Sequence, residues 1–207
     1  MLRRSAFKPF RAFAPMFASG PGGKDGPGWY LALLNWSYDG AAAVGVVRTC
    51  LDRSRDRPGD TANLLLMDDW RPQLVGCVAL LIADPADRAV GELLQAIRRG
   101  SWIAPQLLAT AALACPAGWE ADVAADVLER GDSKAAAAFV AVSSSVPPEL
   151  QALAAADDEG GAEIVRQWHT CLASALDEAG IGRAWPAPQD REPWQMGPDD
   201  DPHLREL

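Results

Sequence analysis

A chain of 207 residues with 49% apolar side chains can bury roughly 70% of its unfolded surface as one body, so a single folded unit is expected. Its net charge of −9 argues against nucleic acid as a partner, because phosphate binding needs clustered lysine and arginine; a basic partner suits it better. No stretch approaches the roughly 18 uninterrupted apolar residues of a membrane span, and a soluble cytoplasmic chain with no membrane partner is expected.

The apolar residues are mostly Ala and Leu, with few Ile, Phe and Tyr, which favours helices over sheets. Residues 1–28 read as an N-terminal arm and flexible loop. The arm carries Arg3, Arg4, Lys8, Arg11 and Lys24 with no acid before Asp25, a bias also found in organelle transit peptides. Phe7, Phe10, Phe13 and Phe17 recur at nearly helical spacing, but Pro9 and Pro15 forbid one continuous helix. The expected role is to lay these aromatics over one end of the fold, before the glycine-rich loop at Gly20–Gly28.

Residues 29–180 carry a repeat. Trp29–Arg53 fits a degenerate first hairpin, and Thr61–Asp68 a short helix before Trp70. Pro85, Pro116 and Pro147 then recur at one constant interval. Gly100 and Gly131 follow the first two prolines at equal distances, while Gly161 falls one position out of register after the third. The segments PADRAVGELLQAIRRG and PAGWEADVAADVLERG read as amphipathic helices, with Pro in the first turn and Gly just past the end.

A second helix follows each glycine. WIAPQLLATAALA from Trp102 echoes WRPQLVGCVALLIA from Trp70, and Asp69 and Ser101 precede the two tryptophans as candidate caps. Trp70 and Trp102 are expected to pack at the helix starts. A third helix is expected from Ser133, and a longer fourth over Ala162–Ala179. Ile164, Trp168, Cys171 and Ala175 form its apolar stripe, flanked by Val165, Leu172 and Leu176. Such hairpins cannot bury both faces alone, so about four or five of them should stack around a shared core. No period-two alternation supports a sheet.

The units DDWRPQLVGCVALL and GSWIAPQLLATAALA, each followed by an Asp-Pro or Cys-Pro turn, resemble the short class of HEAT repeats over roughly residues 60–160. Gln73 and Gln106 stand where that family often has arginine. The resemblance implies an all-α, right-handed α-solenoid acting as a scaffold or adaptor with a curved binding face. Its second helices would line the inner curve. The partner-binding positions would then be Arg88, Glu92 and Gln95, Asp122 and Asp126, and Glu149 and Gln151.

Groups suited to chemistry are sparse. The two histidines, His169 and His203, leave a zinc site or a histidine-based triad almost nothing to draw on. No nucleophile-elbow, zincin, P-loop or dinucleotide motif is present. Cys50, Cys77, Cys115 and Cys171 are scattered singly and read as free thiols in a reducing compartment. His169 and Cys171 point to different helix faces at a spacing of two. Asp68 and Asp69 suit a helix N-terminus; Asp157–Glu159 and Asp199–Asp201 suit solvated loops. No catalytic residue, metal or cofactor is expected.

Residues 181–207 form a Pro-, Trp- and Asp-rich tail, with Trp185 and Trp194 expected to dock back and cap the last hairpin. Three function classes follow. The first is a protein-binding module, either an adaptor or a small bacterial inhibitor of immunity type whose acidic surface meets a basic toxin or enzyme. The second is a HEAT-like lyase or chaperone for a cofactor or pigment, which would need a deep pocket with a Cys or acid at its base. The third is a nucleic-acid-modifying HEAT-like enzyme, which would need a basic groove.

Overall fold

The computed structural model describes residues 10–18, 20–21, 28–36, 39–83, 87–115 and 118–181. Pro85, Pro116, Phe7, His203 and the expected tail cap at Trp185 and Trp194 lie outside the described residues. Among the described residues there are eleven helices and no strand. They are α1 (Pro15–Ala18), α2 (Trp29–Asn35), α3 (Gly40–Arg53), α4 (Arg57–Leu66), α5 (Trp70–Ile82) and α6 (Asp87–Arg99). The rest are α7 (Ala104–Ala114), α8 (Trp119–Arg130), α9 (Ser133–Val142), α10 (Pro148–Ala154) and α11 (Gly161–Glu178).

Helices α4, α6, α8 and α10 lie side by side in one layer, and α5, α7 and α9 lie side by side in a second. The two layers differ in sequence because they differ in exposure. Helix α6 buries only one stripe, Ala89, Leu93, Ala96 and Ile97, and α8 likewise buries Trp119, Val123, Ala124 and Val127. Helix α5 is buried without interruption from Pro72 to Leu81, the signature of a helix with neighbours on both faces. Burying one leucine such as Leu81 of α5 stabilises the fold by about 1.5–3 kcal/mol, so a helix buried on every side contributes more per residue than one that buries a single stripe.

The helix ends follow local chemistry. Asp69 Oδ1 accepts from the Arg71 N–H at 2.9 Å, and Asp132 Oδ1 accepts from the Ala135 N–H at 2.9 Å, capping α5 and α9. Ser101 does not cap α7. That helix begins two residues beyond the expected Trp102, with Ile103 at its N-cap and no side-chain bond there. Gly100 and Gly131 adopt the left-handed region, with φ of 76° and 63°, and end α6 and α8 as expected. In the third unit the left-handed residue is Gly160, with φ 74°. Gly161 serves a different need: a Cβ there would collide with the Lys134 carbonyl oxygen, so α9 and α11 can approach only because it has none.

A second periodic feature escaped the sequence pattern. Arg99 Nη2 donates to the Leu65 carbonyl at 3.1 Å, and Arg130 Nη1 donates to the Arg98 carbonyl at 2.7 Å. The two arginines hold the same place in successive repeats, each just before the glycine that ends its helix. Each closes an outer helix by binding the free carbonyl end of the outer helix before it, where a cation is favoured.

An open stack of hairpins leaves both outer faces bare, but here one is covered. Helix α11 packs across α7 and α9 and reaches α3, which itself packs on α5. Trp168 Nε1 donates to the Leu33 carbonyl at 3.1 Å, and Arg48 Nη1 donates to the Ala179 carbonyl at 2.8 Å, tying early helices to the last one. The stripe on α11 is rotated from the expected one. Val165, Trp168, His169, Leu172, Ala175 and Leu176 are buried, while Ile164 and Cys171 are only half-buried. Phe10, Phe13 and Met16 are buried in the same core, where α1 packs on α2 and α3.

Candidate functional site

The seven residues expected to bind a partner fall on α6, α8 and α10, hence in the outer layer. Arg88, Gln95, Glu149 and Gln151 are exposed, and Glu92 is half-exposed. Asp122 and Asp126 are partnered within the fold. Arg98 Nη2 lies 3.2 Å from Asp122 Oδ2, and Arg98 Nε lies 3.1 Å from Asp126 Oδ2, linking α6 to α8. Such solvent-facing pairs each contribute at most about 1 kcal/mol.

A different set of residues converges at the N-terminal ends of α5, α7 and α9. Trp70 and Trp102 meet edge to face at 5.3 Å, and Tyr30 meets Trp70 in the same manner at 5.6 Å. The Arg71 guanidinium lies 4.8 Å from the Trp70 ring centre. Lys134 occupies the next place in the series, its Nζ 5.5 Å from the Trp102 ring centre and 3.0 Å from Glu159 Oε2. Trp70, Trp102 and Lys134 are evenly spaced along the chain, so the row is a product of the repeat. Trp102 is not a packed helix-start residue as expected: it is 59% exposed.

Behind this row sit the two repeat glutamines. Gln73 is 3% exposed; its Nε2 donates to the Met67 carbonyl at 2.7 Å, and its Oε1 accepts from Ser101 Oγ at 2.7 Å. The hydroxyl of Ser101 therefore joins two successive turns instead of capping a helix. Gln106 is 5% exposed, and its backbone carbonyl accepts from Thr110 Oγ1 at 2.8 Å. Its side-chain amide has no hydrogen-bond partner among the described residues and lines a cavity of about 310 Å³.

The cavity is lined by Trp102 and Ile103 at the start of α7, Leu34 and Trp36 at the end of α2, and Ile164, Gln167 and Trp168 of α11, with Lys134 also in its wall. Trp36 and Trp168 touch at 6.0 Å. Trp36 ends α2 in the left-handed region, with φ 43°, a conformation that costs a bulky residue roughly 1–3 kcal/mol. Its ring lies so close to α3 that a Cβ on Gly40 would come within 2.6 Å of Trp36 Cε3. Trp36 Nε1 is buried with no partner among the described residues. A more open recess of about 410 Å³ shares Trp102 and Lys134 and continues past Arg130 and Asp132.

The remaining reactive groups lie elsewhere. Burial pushes the thiols of Cys50 to about 11, and of Cys77 and Cys115 to about 12, which holds them as neutral thiols. All four cysteines are free, and none lines the cavity. Burial lowers the pKa of His169, and its Nδ1 has no partner among the described residues. Among those residues no cluster of His, Cys, Asp or Glu could hold a metal ion, and no helix is long and apolar enough to cross a membrane.

The sequence pattern does not single out Trp36, Lys134 or Gln167. Lys134 was within reach, since it follows Trp102 at the same interval that separates Trp102 from Trp70. Trp36 and Gln167 join the cavity only through the packing of α2 and α11, which no local pattern records. The chain matches no family model, no curated protein and no solved structure.

Proposed function

We propose that the protein is a HEAT-like helical-repeat module that binds another protein on the free face of α6, α8 and α10, as an inhibitor of immunity type or an adaptor. The observation that carries this reading is the set of Arg88, Glu92, Gln95, Glu149 and Gln151. They share one layer, and no ion pair or side-chain hydrogen bond joins them to other described residues. Helices packed 8–10 Å apart give this layer room for an interface of about 800 Å² per partner. A net charge of −9 would speed encounter with a basic toxin or enzyme.

The test is a complex reconstituted from the full chain and a purified protein captured with it. Charge reversal by Glu92→Lys with Glu149→Lys should slow association at least about tenfold at low salt and leave the melting temperature unchanged. Association unaffected by both substitutions, or capture of nucleic acid without protein, would refute the reading. The cavity beside Trp102 favours the second reading, a lyase or chaperone for a cofactor or pigment. Among the described residues of its wall there is no cysteine or carboxylate, which that reading requires.

A further inference from the structure

Repeat equivalence makes the Gln106 cavity informative. At the preceding position both ends of the Gln73 amide are satisfied by protein. At Gln106 the same side chain, 5% exposed, lines the cavity and makes no side-chain hydrogen bond with any described residue. An amide that protein leaves unbonded keeps its donor and acceptor free for a guest. The space has a volume of about 310 Å³, at the low end of the roughly 300–1,000 Å³ of small-molecule sites.

We propose that this cavity binds a small, neutral, planar heteroaromatic molecule of the nucleobase kind, stacked on the indoles of Trp36, Trp102 and Trp168, with its hydrogen-bonding edge on Gln106. Three features select that class. Three indoles line the cavity, Trp36 and Trp168 in contact with each other and Trp102 beside them in the same wall, and indole faces attract flat rings irrespective of their substituents. A carboxamide offers a donor and an acceptor side by side, the pattern that matches the edge of a base such as adenine. The cation in the described wall, Lys134, is 15% exposed at its side chain and neutralised by Glu159 at 3.0 Å. A cationic ligand would meet that lysine, and an anionic one would have to displace the glutamate. The site is separate from the α6, α8 and α10 face, so its failure would leave the protein-binding reading standing.

The experiment titrates the full chain with adenine and nicotinamide as neutral probes, benzoate as an anionic ring and tetramethylammonium as a cation, followed by tryptophan fluorescence and calorimetry. A neutral probe should bind saturably with Kd below roughly 1 mM, one molecule per chain, and raise the melting temperature. Gln106→Leu should weaken that binding at least about tenfold without lowering the melting temperature of the free protein. Trp102→Ala, at a residue too exposed to hold the fold, should weaken it to a similar degree. Binding of the neutral probes that survives both substitutions would overturn the proposal, as would tighter binding of benzoate or tetramethylammonium, or no saturable binding of either heterocycle.

Discussion

Two successive junctions of the repeat, built on the equivalent glutamines Gln73 and Gln106, have reached opposite ends. The Gln73 junction is closed: its amide joins the α4–α5 turn to Ser101 in the next turn. The Gln106 junction is open: Asp132 follows Gly131 as Ser101 follows Gly100, but its carboxylate caps α9 through the Ala135 N–H and makes no bond to Gln106. One change of partner, from a hydroxyl to a carboxylate with another use, separates a structural strut from an open recess. Repetition in sequence thus fixes where a side chain sits without fixing what it does.

The largest expected effect comes from removing the cover over the open junction. Trp168 is 1% exposed and holds Leu33 by its indole N–H, so Trp168→Ala should cost about 3–5 kcal/mol, measured by urea unfolding. A loss below about 1 kcal/mol would mean that α11 is not held as described. Next, Gln73→Leu strands the Met67 carbonyl and the Ser101 hydroxyl and should cost about 1–3 kcal/mol. The companion change Gln106→Leu strands nothing, and its effect on the free protein should lie between zero and about 1 kcal/mol of stabilisation. Equal losses from the two glutamine variants would erase the contrast between the junctions.

A pH series sharpens the same comparison through α11. His169 has its pKa lowered by burial from the ordinary 6.5, so the unfolded chain takes up a proton that the folded chain resists. Stability contributed by the neutral ring is therefore complete above about pH 6.5 and is lost as the pH falls from there toward the folded value. The urea midpoint should drop on acidification through that window, before carboxylates titrate, and His169→Gln should flatten the drop. An unchanged slope in the variant would assign the acid sensitivity to other groups.

Much of the fold was legible because it is local. Ala- and Leu-rich segments, glycine stops at Gly100 and Gly131 and the Asp69 cap are each decided within a few residues, and the structure has them where the pattern placed them. The rotated stripe of α11 was not legible, since His169 counts as polar in any periodicity and only its burial against other helices reveals the true face. One signal does lie in the sequence: α5 carries no polar or charged side chain from Leu74 to Ile82, which demands neighbours on more than one side before they are known. The recess was hidden more deeply, as Trp168 and Leu33 are far apart in the chain and only their meeting brings α2 and α11 into one wall with Gln106.

The arginine clasps give the outer layer a direction. Arg99 in α6 grips the end of α4, and Arg130 in α8 grips the end of α6, but α10, with the sequence PELQALA, has no arginine with which to grip α8. Strain entering from the α4 side must undo a clasp at each helix, whereas the last outer helix can lift away by losing apolar contact alone. The layer is built like a row of overlapping shingles with a loose final course, and the free face carrying Glu149 and Gln151 is the part best placed to adapt its shape to whatever lands on it.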